Sequence, residues 1–487
     1  MSIHYQQPKN LTQLKAWWNA PSGYRQVLAI AGPLVLSTSS MTIQQFVDRM
    51  FLAWYSPDAL AASLPAGLLV FTAICFFIGT ASFVNTFVAQ YVGSGQPERA
   101  AAATWQAIYF SIAAGLLVLL LVPWSDKIFA LAGHGPALQK LETDYFTICI
   151  SGGVFAITTS AVSSFFTVLG RTRIVMWTNV GATVVNLVLD YALIFGNFGF
   201  PEMGIRGAAY ATVAASVFTT VVFFAVFFSR SYRQEFHTTR SFQLDLALFW
   251  RLMRFGVPNG VHFFLDLSAF TLFFFLVGRL GALDLAASTL AFQVNMVAFL
   301  PMIGFSIATA TLVGQRLGEN KPLLAIRSVW ASLHLTTIYM SAIALAYVLL
   351  PNVFLVPFGA KADPAEFEPV RQMAVILLRF IALYSLFDAM NLIFSSALKG
   401  AGDTLFVMFM STSLGFTIMV IPTWFVCQPG GAGLYAAWFF LTLFVVLMAL
   451  CFLLRFLKGP WREMRVIQMP VIETTADLKP VLAGAEA

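Results

Sequence analysis

A chain of 487 residues that is 59% hydrophobic and only 10% charged cannot clothe a soluble surface, since soluble domains carry about 25% charged residues. Its formal charge of +6 is spread through short loops, with no basic run interleaved with aromatics of the kind a nucleic-acid surface needs. These features exclude a soluble domain and a nucleic-acid partner, and leave the lipid bilayer as solvent for most of the chain.

Residues 1–26 are polar and include Trp17 and Trp18. They lack the pattern of a cleavable leader, and residues 13–25 read as a short amphipathic lead-in on the inner membrane surface. Twelve apolar segments follow, at about 27–54, 59–91, 99–124, 141–169, 173–196, 206–229, 252–279, 284–316, 323–350, 372–398, 404–427 and 433–457. Each can cross ~30 Å of hydrocarbon as a helix, and none alternates with the period of a barrel strand. The expected fold is an all-α membrane protein with twelve transmembrane helices.

The polar stretch 230–250 divides the chain. The expected organisation is a lead-in (1–26), a six-helix lobe (27–229), a cytoplasmic linker (230–250), a second six-helix lobe (251–458) and a disordered cytoplasmic tail (459–487). Lys9, Arg25, Arg99, Arg171, Arg173, the linker arginines, Lys321, Arg327, Lys399, Arg455 and Lys479 fall on one side. The other side has far fewer, among them Lys127, Lys140, Arg206, Arg279 and Lys361. Positive loops stay inside, so both termini are expected in the cytoplasm. Cys75, Cys149, Cys427 and Cys451 stand singly in or beside apolar stretches and read as small buried hydrophobes.

The halves repeat. Gln90-Tyr-Val-Gly93 with Pro97 matches Gln315-Arg-Leu-Gly318 with Pro322, and Pro33 matches Pro258, all at an offset of 225. Ser163, Gly170 and Thr172 match Ser395, Gly402 and Thr404 at 232. Six helices per copy is even, so the copies insert alike and a pseudo-two-fold axis along the membrane normal follows. Transporters built from such repeats place their sites between them.

Four carboxylates lie inside the spans, and each would cost about 2.5–3.5 kcal/mol facing lipid. Asp48 and Asp190 sit ~10 Å from the outer end of their spans, with Asn186 one turn below Asp190. Asp266 and Asp388 lie nearer mid-membrane, with His262 one turn from Asp266, and Tyr384 and Asn391 beside Asp388. The repeat mates of Asp48 and Asp266 are Phe273 and Met41, so the polar clusters break the symmetry, as function rather than framework would. Desolvated carboxylates take up protons, or bind Na⁺ through hard oxygens. Pro33 and Pro258 each remove a helix hydrogen bond and read either as tolerated kinks or as hinges. Arg49, next to Asp48, either pairs with an acid or snorkels to the outer interface.

The chain resembles the multidrug and toxic compound extrusion (MATE) family over roughly residues 25–458. The resemblance rests on Val47-Asp48, on Val88-Ala-Gln90 with Gly93, on Asn186-Leu-Val-Leu-Asp190 through Gly196 with Gly204-Ile-Arg-Gly207, and on Asp388-Ala-Met-Asn391 with Leu398-Lys-Gly400-Ala-Gly-Asp403-Thr404. It implies a V-shaped pair of six-helix lobes, in a bacterial inner membrane, exporting small organic compounds against a coupling ion, Na⁺ or H⁺. It implies no cofactor, and the expected state is a monomer. The family's N-lobe acidic site falls on Asp48, Asn186 and Asp190. The cation site of its NorM-like branch falls on Asp266, Tyr384 and Asp388; His262 and Asn391 beside that site, and Arg49 beside the N-lobe acid, read as tuning residues. That branch usually has Glu at Asp266, while the family commonly has a small or polar residue at Arg49 and more often Gln at Asn391.

Two rivals are a flippase for lipid-linked saccharides and an intramembrane enzyme. The first needs a basic central cavity, yet only Arg49 and Arg379 lie within spans. The second needs a nucleophile with its base, and His262 with Asp266 is the nearest pair, without an HExxH or GxSxG pattern.

Overall fold

The computed structural model describes Lys15 and residues 17–130, 135–359 and 364–468. Its first half contains helices α1 (Tyr24–Tyr55), α2 (Pro57–Ser82), α3 (Val84–Gly93), α4 (Pro97–Val118), α5 (Ser125–Ala130), α6 (Pro136–Ser151), α7 (Gly153–Val168), α8 (Thr172–Phe195) and α9 (Ile205–Phe227). The short α10 (Arg230–Glu235) lies in the connection. The second half contains α11 (Leu246–Gly278), α12 (Ala282–Gly318), α13 (Pro322–Leu349), α14 (Pro351–Gly359), α15 (Pro364–Ala401), α16 (Thr404–Leu414), α17 (Ile421–Val426) and α18 (Gly433–Lys458).

Among the described residues, length and composition give 11 helices able to cross a membrane, and 12 when the bent pair α6–α7 counts as one span. The bend of 42° falls at Gly152, where a Cβ would stand 2.6 Å from Val213 of α9. By contrast α1 and α11 run unbroken through Pro33 and Pro258. The second half's fifth span is interrupted by a π-helical stretch at Gly415–Val420. Helix α11 begins at Leu246, ahead of the expected boundary, because Asp245 Oδ1 accepts from Leu248 N at 3.0 Å and caps it.

The repeat seen in the sequence is a repeat of conformation. Gly95 (φ +72°) and Asn320 (φ +60°), 225 apart, both turn left-handed, a region open to glycine and tolerated by asparagine. The same bond closes each turn, Gln96 N to Tyr91 O and Lys321 N to Arg316 O. Pro97 and Pro322 then start the next helices, where the missing N–H is harmless.

The two turns meet across the pseudo-axis. A Cβ on Gly93 would stand 2.1 Å from the Gln315 carbonyl oxygen, and one on Gly318 would stand 2.2 Å from that of Gln90. Gln90 Nε2 donates to Gly400 O (3.2 Å) and Gln315 Nε2 to Val168 O (2.6 Å), acceptors themselves 232 apart. Other bonds between the halves join Tyr24 to His334, Arg316 to Ser22 and Gln26, and Asn259 to Gly79. All lie in the half of the molecule that carries the positive loops, so that face is closed.

Both chain ends add to this seam. Trp17 is buried and packs on Tyr24 and His334, so it seals protein against protein rather than lying on lipid. The tail also departs from expectation: Trp461 is fully buried, and Val466 N donates to Gln90 Oε1 at 2.9 Å. The remaining lead-in and tail positions, 1–14, 16 and 469–487, and Lys361, lie outside the described residues. One apolar core surrounds Phe273, Phe394 and Trp438, and another surrounds Phe87, Phe165 and Phe223.

Candidate functional site

Helices α1 and α8 run parallel with matched register. Asn179 Nδ2 donates to Ser37 Oγ at 2.5 Å, and Ser40 Oγ and Thr183 Oγ1 lie 2.8 Å apart. Carried two turns onward, that register sets Asp48 against Asp190, whose carboxyls face each other. Asn186 and Asp190 are wholly buried. Apart from the other carboxyl of the pair, neither Asp190 oxygen and not Asp48 Oδ1 has a hydrogen-bond partner among the described residues, and neither polar atom of the Asn186 side chain has one. Buried polar atoms left unmade are expensive, about 1–3 kcal/mol each. A proton shared between the acids, or a cation between them, removes that penalty.

Two residues of α6 complete this group, Tyr145 and Cys149, which adjoin each other and face Asp48. Cys149 is buried, as expected, and its neighbourhood with Asp48 is not visible in an apolar segment that carries a lone Tyr or Cys. Arg49 is exposed and makes no ion pair among the described residues, which favours snorkelling over pairing.

The second group forms between α11 and α15. Asp266 and Asp388 lie within electrostatic reach of each other. Buried Tyr384 and the Asn391 amide adjoin Asp388, and Ser411 of α16 adjoins Asp266. His262 takes a partner that its place in the sequence does not show. Lys399, read from the sequence as an inner loop charge, belongs to α15. Its ammonium lies 3.4 Å from His262 Nδ1 and within reach of Asp266. An ammonium only donates, so Nδ1 accepts. The long stem carries the charge from the helix end up into the site. The repeat mates are apolar in fact: Phe273 is fully buried against Trp438, and Met41 is exposed.

The molecule therefore holds two separate acid clusters, one per half. The first has no cation in contact, Arg49 acting on Asp48 only at a distance, and is short of donors. The second contains its own cation. Either set of hard oxygens suits a proton or a small monovalent cation.

A family model described as MatE matches residues 33–192 and 258–425. The chain is 26% identical over 454 residues to a probable multidrug resistance protein NorM of Pseudomonas putida, covering 93% of this chain and 97% of that one. It is also 26% identical over 412 residues to a multidrug resistance protein NorM of Burkholderia vietnamiensis, covering 84% and 88%. Among solved structures, a MOP superfamily transporter from Pyrococcus furiosus superposes with a TM-score of 0.80 at 18% identity, covering 94% and 99%. The eukaryotic MATE transporter AtDTX14 superposes with a TM-score of 0.79 at 19% identity, covering 90% and 96%.

Proposed function

This chain belongs to the MATE family, whose members are transporters and not enzymes, and from that premise we propose that it is a cation-coupled antiporter exporting amphipathic or cationic organic compounds. Asp266, Tyr384 and Asp388 bind the coupling cation, Na⁺ or H⁺. Asp48, Asn186 and Asp190 take a proton or hold substrate. The protein spans a bacterial inner membrane, with the closed, positive face and both termini in the cytoplasm.

The observation that carries this reading is the pair of acid clusters on opposite sides of the pseudo-axis, one of them with unpartnered buried oxygens. Buried acids that match no framework need have a task in moving ions. One charge crossing a 100 mV potential supplies about 2.3 kcal/mol. A cation entering between Asp266 and Asp388 meets the Lys399 ammonium already beside Asp266, so uptake and the position of Lys399 are linked. The seam of Gln90, Gly93, Gln315 and Gly318 holds the closed face, and alternating access requires that it part. Pro33 and Pro258 are proposed as hinges for that motion, each in a helix that crosses to the other half.

The test is ethidium efflux from vesicles containing the purified protein, with a Na⁺ gradient and a pH gradient imposed separately. Efflux on either gradient, lost in Asp388→Asn, is the expected result. Efflux with unchanged coupling in Asp388→Asn removes the α11–α15 site from the mechanism. No ethidium movement on either gradient removes the multidrug reading.

A further inference from the structure

The connection between the halves is more than a tether. Its backbone is fastened to α4 and α9: Trp105 Nε1 donates to Thr238 O (2.8 Å), Gln106 Nε2 to Gln243 O (3.1 Å), the Tyr109 hydroxyl to Phe242 O, and Thr238 Oγ1 to Phe227 O (3.0 Å). A left-handed residue, His237 (φ +49°), turns the chain at its centre. The result is a fixed groove of about 560 Å³ lined by Arg230, Arg233, Gln234, His237, Thr239 and Arg240.

The charges of this groove are unbalanced. Of the carboxylates near it, Asp245 is held by Arg99 at 3.0 Å, Glu98 lies 3.1 Å from His237, and Glu235 of α10 is exposed, so three arginines outweigh the acids left to face them. Arg230, Arg233 and Arg240 are exposed, and none has an ion pair among the described residues. Three forked guanidiniums around one rigid hollow match a phosphate, which accepts from several donors at once. The flanks are apolar and open: Phe228 precedes Arg230, while Phe242, Leu244, Leu246 and Trp250 follow Arg240, all exposed. A free anion has no use for that apolar border. Trp beside basic residues at a helix end is the composition of a membrane interface.

We propose that the groove between Arg230, Arg233 and Arg240 binds the phosphate headgroup of an anionic membrane lipid, whose acyl chains lie along Phe228, Phe242 and Leu244. The lipid bridges α9, α10 and the start of α11, and so ties the two halves at the membrane surface. Basic residues near a membrane attract anionic lipid with a strength that compounds to about a hundredfold in affinity for three of them.

The experiment follows the thermal unfolding midpoint of the full-length protein in detergent against added phosphatidylglycerol, phosphatidylcholine or inorganic phosphate. Phosphatidylglycerol is expected to raise the midpoint of the wild type, and the other two are not. The half-effect concentration should rise about a hundredfold in Arg230→Gln/Arg233→Gln/Arg240→Gln. It should hold within a few fold in the charge-matched control Arg25→Gln/Arg173→Gln/Arg254→Gln, and should be restored only in part when the three groove residues are lysines, which keep the charge but not the fork. Equal loss in both glutamine triples overturns the site in favour of general surface charge. A midpoint raised as much by inorganic phosphate overturns the lipid assignment.

Discussion

Replacing Gly318 by alanine sets two effects of opposite sign against each other. Gly318 ends α12 in ordinary helical conformation, and alanine is favoured over glycine within helices by up to about 1 kcal/mol. If the seam were loose, Gly318→Ala would stabilise the protein. The new Cβ, however, stands 2.2 Å from the Gln90 carbonyl oxygen, well inside contact distance, and the atom it meets is backbone that cannot swing aside. Overpacking of this kind costs about 1–3 kcal/mol, and Gly93→Ala places the same clash on Gln315 at 2.1 Å. Because the clash exists only while the face is closed, the cost weighs on one conformation. About 2 kcal/mol shifts the balance between closed and parted faces by about thirtyfold. Spin labels at Arg173→Cys and Leu323→Cys, exposed positions of opposite halves on that face, report the separation in a background without native cysteines. The expected result is a longer-distance population in Gly318→Ala that grows in the double variant Gly93→Ala/Gly318→Ala. An unchanged distance distribution with a raised unfolding midpoint would refute the seam as a structural lock.

Four further outcomes follow from the sites. Lys399→Met removes the resident cation near Asp266, and the apparent affinity for the coupling ion should rise tenfold or more, since even charges ~8 Å apart interact by about 2 kcal/mol at an effective dielectric of 20; unchanged ion dependence of efflux would place Lys399 outside the site. Asp190→Asn should cut efflux at least tenfold while the protein stays folded; retained efflux would show that the α1–α8 acids are dispensable. Tyr145→Phe, which keeps the ring, should weaken efflux or shift its pH profile; an identical profile would leave Tyr145 with a packing role alone. The Leu248 N–H, and then Arg99, hold the Asp245 carboxyl below the usual carboxylate range. Its folded value being lowered, its contribution of about 1 kcal/mol is present at neutral pH and fades as pH falls below that range. The gap in unfolding midpoint between wild type and Asp245→Ala should therefore be full at pH 7 and shrink steadily as the pH falls below about 4; a gap that does not shrink in acid would trace to packing.

Spans, repeat and both acid pairs were legible because lipid penalises charge so heavily that each buried acid stands out against its segment. Helical spacing then grouped Asn186 with Asp190, and Tyr384 with Asp388. What it could not show was contact between helices distant in the chain. Lys399 read as a loop charge because it sits at a helix end, and only the neighbouring α11 reveals where its long side chain leads. Tyr145 and Cys149 belong to an apolar stretch, and nothing in their spacing points at Asp48. The bend at Gly152 is set by Val213 on another helix. Trp17, Trp461 and Val466 lie in polar stretches that were read as surface or disordered, yet each buries its apolar bulk in a crevice that exists only after the halves meet.

Val466 has a consequence for how the protein is made. Its amide reaches Gln90, a residue of the second span to be synthesised, from beyond the last one. The first lobe can enter the membrane and fold early, but this crossing of its inner face stays unfinished until all the spans of the second lobe have left the ribosome. A nascent chain thus passes the synthesis of both lobes with that face unsealed, and the segment after the last span acts as a latch that closes only once both are made.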